Sequence, residues 1–174
     1  MMDFARLIEL SLPYGLLLSL LMGLTFVALA YINPQIWLKD YPPDIQARFG
    51  PPSERAQRQR KVAGFPVLIF ILGTIGLAIG RLAQVKGGPL VFGDVFLSTF
   101  IILLVFNLLD LLILDWLFFV TLRPGIIVLP GTEGASGYTD FAFHFQAFLK
   151  GVAGSVLAAA IAAGVALLLQ ALLR

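Results

Sequence analysis

The amino-acid sequence predicts an all-α polytopic membrane protein, a four-transmembrane-helix bundle with two cytoplasmic loops. Three observations carry that expectation. The 174-residue chain is 59% hydrophobic and only 13% charged, with a mean hydropathy of +0.94, well outside the usual composition of soluble domains. Four apolar stretches approach or exceed the roughly 20 residues needed to cross about 30 Å of hydrocarbon. Lipid also offers no partner for backbone N–H and C=O groups, so continuous apolar runs must wind into helices, and period-2 barrel strands do not fit them. The spans fall near 12–32, 62–80, 91–122 and 147–173, within a single membrane domain covering 1–174, and the long loops are 33–61 and 123–146.

The first span contains a decoy for signal cleavage, "ALA" at Ala28 to Ala30. The preceding segment carries Asp3 and Glu9 against Arg6, and its apolar run exceeds the usual signal-peptide core of about 7–15 residues, so a retained helix is expected. Asn33-Pro34 ends it, because the residue before proline is pushed out of the helical region. Tyr31, Trp37 and Tyr41 follow, where an interfacial aromatic belt belongs.

Pro42-Pro43 and Pro51-Pro52 punctuate the first long loop. Ser53 then caps a short basic helix with Glu54 and Arg58 four apart. That helix is expected to lie along the headgroups and to break or kink at Gly64 and Pro66 before the second span, unless Pro66 is itself the first residue of the membrane helix. Arg55, Arg58, Arg60 and Lys61 read either as contacts to anionic lipid headgroups or as topological charge alone. Without an aromatic stacking platform or a binding motif they do not read as a nucleic-acid surface.

Orientation follows from the basic residues. The two long loops, counted with the flanking Lys150, hold eight Lys and Arg and the opposite side four, so the positive-inside rule puts the loops in the cytoplasm and both termini outward. Cysteine is absent, which removes disulfide and thiolate chemistry and leaves the redox compartment undetermined.

The third span is the most informative. It runs 32 residues from Val91 to Leu122, about 48 Å at 1.5 Å per residue, longer than the hydrocarbon. It carries Asn107, Asp110 and Asp115, and a carboxylate at bilayer depth is costly enough to face protein or water. On an α-helical wheel Asp110 falls about 60° to one side of Asn107 and Asp115 about 80° to the other, a broad face rather than a stripe. One reading is a polar intramembrane pocket of Asn107, Asp110, Asp115 and Arg123, with Asp110 as proton carrier, cation ligand or general base. The other is a cluster of interhelical hydrogen bonds that stitches the bundle.

Arg123-Pro124-Gly125 ends that helix, and Gly131, Gly134 and Gly137 recur every third residue. Glycines so spaced could form an anion nest, but no Lys-Ser/Thr pair follows, and a flexible turn is the simpler expectation. "FAFHFQAFLKG" is read as an interfacial helix leading into the fourth span. His144, the single histidine, rules out a multi-histidine metal site or paired haem ligation within one protomer. It reads as an interfacial packing residue, or as an acid/base partner of Glu133, Asp140 or Asp110.

Small residues indicate how the bundle closes. Gly76 and Gly80 form a GxxxG in the second span, and Ala147, Gly151, Ser155, Ala159 and Ala163 repeat every four residues in the fourth.

The segments "INPQIWLKDYPPDI", "FGPPSERAQRQ", "FNLLDLLILDWL" and "RPGIIVLPGTEGASGYTDFAFHFQAFLKG" resemble a family of small uncharacterised bacterial integral-membrane proteins, over roughly Asn33 to Gly151. The resemblance implies the bacterial inner membrane, and brings no activity, cofactor or site residues. The leading expectation is a non-enzymatic accessory or interaction protein without cofactor, whose partners are the bilayer, anionic lipids, and another membrane protein or a second copy, with no nucleic acid. One alternative is a small transporter or proton/ion conductor using Asn107, Asp110 and Asp115. The other is a membrane-embedded lipid-modifying enzyme, with Asp110 or His144 as catalytic base and Arg123 holding a phosphate.

Overall fold

In a computed structural model of the chain, residues 1–173 are described. They form an all-α polytopic bundle with four helices long and apolar enough to cross a membrane. Helix α1 spans Phe4–Ile32. A 3₁₀ helix, Pro34–Asp40, and the short α2, Pro43–Phe49, build the first loop. Helix α3 spans Glu54–Lys86, α4 spans Phe92–Leu109, and α5 spans Phe141–Leu172.

The caps follow from the residues at each end. The Asn33 side chain accepts the Gln35 N–H at 3.2 Å and starts the 3₁₀ turn. Ser53 Oγ accepts the Ala56 N–H at 3.3 Å, and Asp140 accepts the Phe143 N–H at 2.9 Å, each satisfying a donor that a helix start leaves open. Gly87 closes α3 in the left-handed conformation, with φ 61°.

One expectation is corrected. No break occurs at Gly64 or Pro66: the basic turns and the second span are one helix of 33 residues, so Arg55, Arg58, Arg60 and Lys61 extend the span instead of forming a separate helix. The segment from Phe141 is a helix leading into the fourth span, as expected, and the two are continuous.

A larger departure lies in the third span. From Asp110 to Leu122 the helix continues in π winding, marked by the Arg123 N–H donating to the Phe118 carbonyl at 3.0 Å and the Thr121 hydroxyl to the Trp116 carbonyl at 2.7 Å, both five residues back. Bonds of this reach bring residues five apart onto neighbouring positions, as residues four apart are in an α-helix. Asp110 and Asp115 are five apart, so the α-helical wheel separates them too widely.

Helix α4 is the hub: α1 and α5 both pack along it. Gly15 lets α1 approach so closely that a Cβ there would sit 2.8 Å from Val105 Cβ. On α5 a Cβ at Gly151 would collide with the Asn107 amide oxygen, and Ser155, Ala159 and Ala163 are buried beyond it. The four-residue repeat of small side chains is therefore a packing face within the bundle. Gly76 and Gly80 on α3 stay exposed, lining a groove between α3 and α5.

Both long loops fold together into a cap on one end of the bundle. Leu38, Tyr41 and Ile45 pack with Phe119, Ile127, Leu129 and Tyr138. The buried Tyr41 hydroxyl donates to the Ile127 carbonyl at 2.9 Å, and burial pushes its phenol well above the ordinary value, which keeps it a neutral donor. "IIVL" is neither strand nor membrane dip; its Ile127 and Leu129 are buried in this cap.

Candidate functional site

Beneath the cap lies a cavity of about 370 Å³. The 3₁₀ turn contributes Trp37 and Asp40, α3 Arg60, the π segment Asp110 and Asp115, and α5 Phe143 and His144. Its position follows from the local folding. The Asn33 cap turns the chain back over the bundle, the Asp140 cap sets the first turns of α5 against the π segment, and the π winding presents both carboxylates to the same space.

His144 is buried, 4% exposed. Its Nδ1 lies 2.9 Å from Asp115 Oδ1, and its ring packs against Phe119 at 4.9 Å and Phe143 at 5.4 Å. Its Nε2 is buried without a hydrogen-bond partner among the described residues, and so is the indole Nε1 of Trp37. Buried polar atoms are ordinarily satisfied, so two orphans on residues that line one cavity point to a partner from outside. With Nδ1–H donating to the carboxylate, Nε2 carries the lone pair and faces the role of proton acceptor. The Trp37 N–H is donor only.

Arg60 is committed to the protein. It grips Asp40 with both terminal nitrogens, at 2.7 and 3.2 Å, and donates to the Ile36 carbonyl at 2.8 Å. A bidentate pair of this kind fixes geometry as well as charge. It ties the first loop to α3 and does not serve as a free headgroup contact. Arg55, Arg58 and Lys61 are exposed, Arg58 with Glu54 at a loose 3.9 Å.

Of the four residues expected to share a pocket, only Asp110 and Asp115 border this cavity. Asn107 faces α5, where its Nδ2 donates to the Leu103 carbonyl at 2.7 Å and to Ser155 Oγ at 3.1 Å. Arg123 terminates the π segment at φ 43°, its Nε donating to the Val120 carbonyl at 3.0 Å. The partner of His144 is Asp115, not Asp110, Asp140 or Glu133: Asp140 is spent capping α5, and Glu133 is exposed in the loop. Trp37 and Asp40 were not marked as site residues by the sequence. Nothing in their spacing connects them to His144 more than a hundred positions later, and only the folded cap does.

The glycine loop is also resolved. Gly131 and Gly134 take left-handed turns, φ 79° and 74°. The Gly137 N–H donates to Asp44 Oδ2 at 2.8 Å, with Ser136 Oγ adding a bond at 3.1 Å. The anion this loop holds is thus a carboxylate of the other loop. The Gly137 N–H in particular, with Ser136, holds the Asp44 carboxyl below its ordinary value.

A second cavity, about 450 Å³, runs between α1 and the π segment. It is a groove lined by apolar side chains from Leu16 to Val27 on α1 and by Leu109, Ile113, Leu117 and Leu122 opposite. Helix α1 packs closely on α4 but only sparsely on the π segment, which leaves the groove open. Phe106, Asp110 and Leu114 border both cavities, so groove and cleft meet at Asp110. Compared with family models, curated proteins and solved structures, the chain matches none.

Proposed function

We propose that this chain is a membrane-embedded enzyme that performs general-base chemistry on the polar head of a lipid amphiphile, in an inner membrane of a bacterium with both long loops cytoplasmic. The observation that carries the reading is the buried, unpartnered Nε2 of His144, a residue backed by Asp115 and lining a cleft that Trp37, with its own unpartnered indole N–H, also lines. An apolar groove adjoins that cleft, sharing Phe106, Asp110 and Leu114 with it, as a lipid substrate requires.

The chemistry follows from the arrangement. His144 Nε2 takes the proton of a hydroxyl, from water or from the head group, and the hydroxyl oxygen attacks an ester linkage. Asp115 stabilises the imidazolium that forms. The Trp37 N–H stabilises negative charge on the attacked oxygen. His144 then returns its proton to the leaving oxygen. Arg123 plays no part in this scheme. Conduction has less support, because the interior beyond the cleft is a buried apolar cluster of Leu18, Ile75, Ile102 and Leu103.

The test is turnover by the whole chain reconstituted in vesicles of mixed lipids, with products followed by mass spectrometry. Wild type is expected to convert one lipid class, and His144→Gln to lower the rate about 10²–10⁴-fold. Absence of any lipid product from folded wild type would overturn the reading.

The accessory role has one observation in its favour: Gly76 and Gly80 are exposed beside a groove of about 790 Å³ between α3 and α5. Small residues of this kind allow close helix approach, and in this second reading a partner helix or a second copy docks there.

A further inference from the structure

The charges around the cleft identify the head group. Arg60 is matched by Asp40, and His144 by Asp115. Asp110 alone among the ionisable groups bordering the cavity has neither ion pair nor hydrogen bond among the described residues, and it sits where the apolar groove enters. A carboxylate at that depth needs a partner of opposite charge.

From this juxtaposition we propose that the amphiphile carries a cationic head, a primary amine or its alkylated form, which seats between Asp110 and the aromatic side chains while its single alkyl chain lies in the groove along α1. The proposal rests on the lipid-directed reading above and names its substrate class. Trp37, Phe26 and Phe143 border the same cavity, and aromatic faces favour a cation. Trp37 and Phe26 pack at 5.2 Å as a preformed wall. The orphan Nε2 of His144 is an acceptor in its neutral form and supplies a second place for an ammonium N–H. Among the described residues no three His, Asp or Glu side chains group to hold a metal ion. The groove runs beside Leu16 to Val27, about 17 Å at 1.5 Å per residue. That is roughly half of a 30 Å hydrocarbon core, the depth of one leaflet, which suits one chain entering sideways from the leaflet on the cap side.

The experiment reads binding, separately from turnover. The chain has two tryptophans, so Trp116→Phe leaves Trp37 as the only indole, bordering the cleft. The full chain in detergent micelles or nanodiscs is titrated with hexadecylamine, hexadecyl phosphate and hexadecanol, and Trp37 emission is followed. Hexadecylamine is expected to shift the emission saturably, with the phosphate and the alcohol at least about tenfold weaker. Asp110→Asn should weaken the amine by a similar factor, and Asp110→Glu should restore part of it. Leu20→Trp in the groove, an exposed position whose change spares the fold, should weaken the amine as well, read by native mass spectrometry. Equal binding of the phosphate or the alcohol, or an unchanged affinity in folded Asp110→Asn, would overturn the proposal. Turnover of the same lipids is followed in parallel by mass spectrometry. Amine binding without turnover therefore defeats the enzymatic reading alone, and turnover of amine-free lipids without amine binding defeats this inference alone.

Discussion

Asp44 shows how a single side chain can join two loops that are far apart in sequence. Its carboxylate accepts from the Gly137 N–H and from Ser136 Oγ, and a Cβ at residue 137 would collide with that carboxylate and with Pro42. Glycine is needed at 137 for close approach, since its φ is not in the left-handed region. Asp44→Asn keeps the shape and removes the charge, so it should cost about 1 kcal/mol at pH 7, discounted for the partial exposure of the site. Because folding depresses the Asp44 carboxyl, the stabilisation is full above its ordinary value of about 3.9. It is lost as pH falls through the depressed folded value. Thermal unfolding of both proteins in detergent should show a gap at pH 7 that closes toward pH 3, and a gap constant across that range would refute the latch. The glycine spacing in the sequence indicates a turn but not its anion, since Asp44 lies 93 positions away.

At the scale of elements, the four spans are legible because hydrocarbon imposes a length and a composition that soluble folding does not. What is not legible is the winding. No residue type marks the π segment, and α-helical geometry separates Asp110 from Asp115, so the pairing of Asp115 with His144 across two helices could not be read from the wheel. Asn107, which reads equally as pocket or as glue, is glue. Helix contacts are half legible for a similar reason: a small-residue pattern says that a close approach is possible, not where it is used. The GxxxG at Gly76 and Gly80 is exposed, while the tight contacts fall at Gly151 and at Gly15, which stands in a four-residue repeat of small side chains of its own, Ser11, Gly15, Ser19 and Gly23. A leucine at Gly15 would drive into Val105 and force α1 off α4, at about 1–3 kcal/mol or more for overpacking, whereas at exposed Gly76 even an added Cβ meets nothing within 4 Å. Unfolding in a mild detergent should therefore separate Gly15→Leu, destabilised, from Gly76→Leu, unchanged as a monomer. Equal stability of the two would contradict the packing described.

Across the whole molecule, polarity is divided between the two ends. The cap end carries the Asp40–Arg60 pair, the Asp115–His144 pair and the cleft. At the other end the fully buried Asp94 accepts from Lys86 Nζ at 2.5 Å and from the Met2 N–H at 2.9 Å, which staples the start of α1 to the α3–α4 turn. Between the ends the interior is mostly apolar, crossed by the Ser11–Ser98 bond at 2.8 Å and the Asn107–Ser155 bond at 3.1 Å. This division has a consequence for topology. Four crossings put both ends of the chain on the side of the α3–α4 turn, and the excess of Lys and Arg in the two long loops favours the cytoplasm for the cap. The reacting groups would then face the cytoplasmic leaflet, and their lipid would be drawn from it. The absence of cysteine makes this measurable, because any introduced thiol is unique. Gly88→Cys in the α3–α4 turn and Glu133→Cys in the cap are both exposed and touch none of the cleft. In right-side-out vesicles a membrane-impermeant maleimide should label Gly88→Cys at once and Glu133→Cys only after permeabilisation. Immediate labelling of Glu133→Cys with protection of Gly88→Cys would invert the protein, and with it the leaflet from which the substrate must come.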